Sequence, residues 1–213
     1  MTALDVATLA LRVPTGVTIA NTVSGLSAIR DAGCTAVILS RQPPPQIQPW
    51  LNALEPEQLP RARVILRADR VKDALCSICE TSGVPKAAAR SLPIDDIAAF
   101  ALHFSDLMNV QHLRLRLDVV TTNACRKFHI DAVTARLVCT YRGQTTQLGE
   151  AELGCDPDVV ISVPQSCPVV LRGTNWPSDA RTRILHRSPP IEGSGESRLL
   201  LVLDPIYDLE EEA

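Results

Sequence analysis

The spacing of apolar residues changes once along this chain, close to residue 110. Before that point it is mainly helical. Leu26, Ile29 and Arg30 suggest a short helix over 24–32, capped by Ser24 and stopped by Gly33. Residues 34–39 are an apolar run of the length of a buried strand. A stiff connector, Gln42–Pro49, leads into a short helix that reaches Leu54, and 61–66 is a second β-like run. Asp69 stands where an N-cap is needed for an amphipathic helix to Thr81, with Gly83 beyond its end. The strongest helix runs from Pro93 to Val110. Its stripe is Ile97, Phe100, Ala101, Phe104 and Leu107, and Asp95 and Asp96 favour its positive end.

After residue 110 the period drops to two. Leu113, Leu115 and Leu117 alternate with His112, Arg114, Arg116 and Asp118, so one face of this strand is apolar and the other charged. Residues 134–142 repeat the pattern, with Arg136, Val138, Thr140 and Arg142 opposite Ala135, Leu137, Cys139 and Tyr141. A polar loop is expected over 143–150, then short strands at 159–163, 169–171, 183–186 and 198–203, punctuated by turns at 173–177 and 193–195. Helices followed by a strand series predict an α+β protein. Its form would be a sandwich or a jelly-roll barrel, flanked by N-terminal helices and strands. The helices would cover the Leu113, Leu115 and Leu117 face. Residues 1–92 would form an α/β flanking region and 93–213 the long helix plus barrel, unless 1–213 is a single domain. The first 23 residues carry no sustained period beyond one short strand, and Glu210–Glu212 read as a solvated tail.

Composition narrows the function. Aromatics at 3% leave the core to Leu, Val, Ile and Ala, and the net charge of −3 gives no footprint for nucleic acid. No apolar run reaches the roughly 20 residues of a membrane span. The first ten residues contain Asp5 and lack the basic start of a secretory signal. Seven scattered cysteines are an odd number and no disulfide framework, which points to reduced thiols and a cytoplasmic protein. Cys76-x-x-Cys79 has no second such pair and reads as two helix thiols.

The chemistry concentrates in Cys125-Arg-Lys-Phe-His-Ile-Asp131. On an extended segment His129 and Asp131 project to one side, and His186 from a later strand would complete three ligands with open positions left over. Two imidazoles and one carboxylate are the ligand set of a non-haem Fe(II) centre. Arg198 opens the last apolar strand and would supply a fork for a small anionic co-substrate. Arg116, Thr140, Tyr141, Arg142 and Arg172 are polar strand residues that could line such a site, with Arg116 and Tyr141 placed with Arg198 as cofactor-binding candidates. Cys125 offers an alternative. With His129, Asp131 and His186 it would close a tetrahedral zinc shell, giving a non-catalytic zinc-binding or metal-homeostasis protein.

The ordered set His129-x-Asp131, Val169-Val-Leu-Arg-Gly173, His186 and Gly195-Glu-Ser-Arg198 resembles the Fe(II)/2-oxoglutarate dioxygenase superfamily. The resemblance implies a double-stranded β-helix (jelly-roll or cupin-like) barrel, in which His129, Asp131 and His186 ligate iron, Arg198 grips the distal carboxylate of 2-oxoglutarate, and an unidentified substrate is hydroxylated. More closely, the C-terminal half is similar to the bacterial family called domain of unknown function 1826. The matching segments are Arg114-Leu-Arg-Leu, Cys125–Asp131, Arg136–Gly143, Leu171-Arg-Gly173, Trp176-Pro177, His186–Pro190 and Arg198–Pro205. Where relatives continue from Tyr-Arg-Gly into Pro-Gly-Thr, this chain has Gln144-Thr-Thr-Gln147.

Overall fold

Strict alternation along residues 112–120 sets the plan of the molecule. In the computed structural model, which describes residues 13–177 and 183–210, this stretch is strand β4 (His112–Val120). Before it come β1 (Val17–Ala20), β2 (Ala36–Leu39), helix α1 (Ile47–Asn52), β3 (Ala62–Arg67), α2 (Val71–Thr81) and α3 (Ser91–Met108). After it come β5 (Ala135–Arg142), β6 (Gln147–Glu150), β7 (Val160–Ser162), β8 (Val169–Arg172), β9 (Ile184–Arg187) and β10 (Arg198–Ile206). Helix α3 stops at Asn109, whose left-handed backbone (φ 53°) suits a short polar side chain better than a branched one.

Seven strands form one sheet in the order β1-β2-β8-β5-β10-β4-β3; all neighbours are antiparallel except β1 and β2. A smaller sheet has the order β7-β6-β9. The molecule is thus a mixed α+β structure built on a large, mainly antiparallel sheet. Strands from before residue 93 and after it share that sheet.

Period-two patterning divides the large sheet into two faces. Leu113, Leu115 and Leu117 of β4, Leu137 and Cys139 of β5, and Leu199, Leu201 and Leu203 of β10 pack under α2 and α3. There they meet Leu75, Ile97, Phe100 and Phe104, as the apolar stripe of α3 predicts. A second core lies between the two sheets and joins Ile38, Val138, Val169 and Leu171 to Leu148, Ile161 and Ile184. Each fully buried side chain of this kind contributes about 1.5–3 kcal/mol.

Some local expectations change. Residues 143–150 are not all loop, because β6 lies within them and pairs with both β7 and β9. Thr22 rather than Ser24 caps the 23–30 helix, and that helix is 3₁₀. Asp69 does not cap α2; its carboxylate is 3.0 Å from the Arg67 guanidinium instead. Cys76 and Cys79 are free thiols on α2. Most of the N-terminal segment and the 211–213 end of the acidic tail lie outside the described residues.

Candidate metal centre

Backbone pairing, not side-chain contact alone, brings the two histidines together. The His129 and His186 amides each donate to the other's carbonyl at 3.0 Å, so the 129 segment is stitched to the free edge of β9. Their rings lie 4.4 Å apart, centre to centre. Asp131 follows two residues later and faces the same point. A ligand atom from each of His129, Asp131 and His186 lies within 4.8 Å of the other two.

The surroundings fix each group. The Lys127 carbonyl accepts from His129 Nδ1 at 2.8 Å, which puts the ring proton there and leaves Nε2 free as a ligand atom. Asp131 Oδ1 is held by Arg136 Nη1 at 2.5 Å. Arg136 is itself anchored to the buried Asp204 by two bonds of 2.6 and 2.8 Å. His186 Nε2 sits 2.9 Å from Asp131 Oδ2, yet this oxygen is buried and has no hydrogen bond of good geometry among the described residues. A buried carboxylate oxygen left this way costs stability unless something else uses its lone pair. A divalent cation between the three groups would do so, and the donor set fits one.

Charge follows the same geometry. Burial works to raise the Asp131 carboxyl, but the neighbouring His129 and His186 and the Arg136 charge outweigh it and hold it well below the usual carboxylate range. The Asp131 contact raises His129, against the effect of burial. His186, more deeply buried, is pushed down by desolvation despite the same carboxylate. It is therefore the imidazole more ready to serve neutral, as a ligand must.

The supporting backbone has one critical approach. A Cβ on Gly173 would lie 1.9 Å from the Val133 carbonyl oxygen and 2.7 Å from that of Asp131. Only glycine lets the end of β8 run this close. From there the Gly173 and Thr174 amides donate to the Thr134 and Asp131 carbonyls at 3.0 and 2.9 Å.

Arg198, Leu200, Val202 and Asp204 alternate along β10 on the face that carries Arg136 and Val138 of β5. Arg198 is fully buried; its Nε donates to the Gln144 carbonyl at 2.6 Å, while Nη1 and Nη2 have no partner among the described residues. Desolvation pushes this guanidinium down to about 10. The Thr140 hydroxyl, also buried and unpaired, stands opposite Leu200 across the β5–β10 ladder. A cavity of about 120 Å³ connects the centre with this face; its lining includes His129, Asp131, His186, Thr146, Leu200 and Val202.

Of the residues singled out in the sequence, His129, Asp131 and His186 converge, and Arg198 lies on the adjoining face. Arg116 lines the same cavity, 4.0 Å from Asp204. Cys125 lines its rim and is exposed, with its thiol outside the cluster of ligand atoms. Tyr141 is not on the face that carries Arg198. Strand parity turns it to the helical core, where its hydroxyl donates to Asp96 at 2.6 Å. Arg142 and Arg172 are likewise spent on carbonyls, of Leu51 and Leu54 and of Ile29 and Asp31 respectively. Trp176 stacks on Arg172. Arg136 and Asp204 went unremarked as site residues. The only sequence signal for them was that Arg136 shares strand parity with Thr140, and Asp204 with Arg198.

No curated protein sequence matches the chain. Among solved structures, dioxygenase for auxin oxidation 1 from Arabidopsis thaliana, in a binary complex with 2-oxoglutarate, superposes with a TM-score of 0.54 at 12% identity. The alignment covers 92% of this chain and 94% of that one. The dioxygenase for auxin oxidation from rice gives 0.50 at 12% identity, over 92% and 84%. Both likenesses are of fold. A family model described as "Protein of unknown function (DUF1826)" matches residues 20–204. The chain belongs to this family.

Proposed function

We propose that this DUF1826 member is an Fe(II)/2-oxoglutarate-dependent oxygenase on a double-stranded β-helix, hydroxylating a substrate held at the mouth of the cavity. The observation that carries the reading is a pair of unsatisfied sites on one sheet face. One is the His129, Asp131 and His186 cluster with its unspent carboxylate oxygen; the other is the buried Arg198 fork with two free donors. A dicarboxylate is the natural complement of a cation at one end and a guanidinium at the other. Neither site makes sense without an occupant, since an unpaired buried guanidinium is costly.

In this reading His129 Nε2, one Asp131 oxygen and His186 hold the iron, and Arg136 orients Asp131 by its 2.5 Å contact. Arg198, with the Thr140 hydroxyl nearby, receives the distal carboxylate of 2-oxoglutarate. Val138, Leu200 and Val202 keep water from the methylene part of the co-substrate. Bound iron would supply dioxygen activation coupled to decarboxylation of 2-oxoglutarate.

Anaerobically purified protein should retain about one iron per chain and bind 2-oxoglutarate. His129→Ala should lose both the metal and 2-oxoglutarate turnover. Wild-type protein that consumes no 2-oxoglutarate with any divalent metal would sink the reading.

A further inference from the structure

One charged surface beside the cavity is left unexplained by the metal site. Strand β3 is the edge of the large sheet, and its register sets Arg63 beside Arg116 and Ile65 beside Arg114. Paired residues share a face, so Arg63, Arg114 and Arg116 stand on the side of the sheet that carries the centre. An open groove lined by Arg61, Arg63, Asp118 and Val120 adjoins the metal cavity, because Asp118 and Val120 line both.

The charge on this shelf is lopsided. Arg61 donates to the carbonyls of Val119 and Pro56, Arg63 has no acidic partner among the described residues, and Arg116 reaches Asp118 only at 3.9 Å. Asp204, the other carboxylate of this face, is buried and consumed by Arg136. Arg61, Arg63 and Arg116 therefore face one accessible carboxylate, Asp118, among the described residues of the groove and its entrance, on a protein whose net charge is −3.

We propose that this shelf binds an acidic, extended polypeptide segment and leads it into the metal cavity, with Arg61 and Arg63 holding its carboxylates and Arg116 guarding the entrance. Successive same-side positions on an extended chain are about 7 Å apart, the spacing of alternate residues on β3 itself. The outer edge of β3, unpaired among the described residues, also offers backbone donors and acceptors for a strand laid alongside. Nucleic acid fits less well: no aromatic side chain stands among the groove residues for base stacking, and the net negative charge of the protein opposes a long polyanion. That the segment is a substrate rests on the oxygenase reading; that it binds does not.

The test uses the full-length protein and a fluorescein-labelled peptide alternating glutamate and threonine, followed by anisotropy. An oligothymidylate of equal charge serves as the competing probe. Saturable peptide binding is expected, weakening with salt, and lowered about tenfold or more in the double variant Arg61→Glu, Arg63→Glu. Arg70→Glu, an exposed charge on the start of the neighbouring helix, should leave it unchanged. Peptide affinity equal in wild type and double variant, or tighter binding of the oligothymidylate, overturns the proposal. Iron content and 2-oxoglutarate turnover without added substrate are measured on the same variants. Their retention with loss of peptide binding supports the shelf; a wild type that binds peptide but never uses 2-oxoglutarate defeats only the oxygenase reading.

Discussion

Two half-buried aspartates lie on opposite faces of the large sheet and have opposite surroundings. Asp96, on the helical side, is closed. Arg41 grips both its oxygens at 2.5 and 2.7 Å, and the Tyr141 hydroxyl adds a third bond at 2.6 Å. Arg41 also stacks on Phe100 and donates to the Ser166 carbonyl, so the cluster joins α3, the loop after β2 and the core. Asp131, on the other face, is open. It has one firm partner in Arg136, one buried oxygen without a hydrogen bond, and two imidazoles aimed at the same point. Similar residue types thus make a fastening on one side and an unsatisfied cluster on the other. What separates them is whether donors and acceptors balance inside the protein.

Three substitutions test that contrast, and the largest effect belongs to the closed side. Asp96→Ala strands the Arg41 charge, whose side chain is only 17% exposed, and should lower unfolding stability by about 3–5 kcal/mol in urea titrations. Iron stoichiometry of the folded fraction should not change; a loss there would mean that the two faces are not independent. Gly173→Ala comes next. The added methyl cannot be fitted beside the Val133 carbonyl without shifting the Asp131 segment, so stability should drop by about 2–3 kcal/mol and metal affinity by about tenfold or more. Unaltered iron affinity measured by chelator competition would show that β8 does not position Asp131. Smallest, and opposite in sign, is Arg198→Leu. Removing an unpaired buried cation should raise the stability of the ligand-free protein by about 1–2 kcal/mol. If Arg198 receives 2-oxoglutarate, the co-substrate should raise the melting temperature of the wild type and not that of this variant. A destabilised variant that still responds to 2-oxoglutarate would remove Arg198 from the site.

The contrast also explains which parts were legible in the sequence. Alternation in 112–120 and 135–142 exposed the strands because one face of each packs on helices and cannot tolerate charge. His129, Asp131 and His186 were legible through spacing and order, since an extended segment keeps i and i+2 on one side. Tyr141 misled: its parity with Leu137 and Cys139 pointed to the core, but its hydroxyl invited a polar role that Asp96 fulfils instead. Strand β6 was hidden because Gln147-Leu-Gly-Glu150 is short and polar, and takes its strand character from partners far along the chain. Arg136 with Asp204, and the arginine shelf of β3 and β4, depend on cross-strand register. Periodicity within one segment carries no information about register between distant segments.

Strand β10 is the latest of the ten described strands in chain order, yet it lies between β5 and β4 in the interior of the sheet. Those two strands are consecutive in the chain but never pair, because the space between them is kept for a strand made some fifty residues after β5 ends. A nascent chain therefore cannot complete the sheet, close the helical core or present Arg198 until β10 has left the ribosome. In the proposed oxygenase, iron and co-substrate would meet a finished site or none. A chain stopped just before Arg198 should be found among the products of proteolysis and not as a metal-binding fragment.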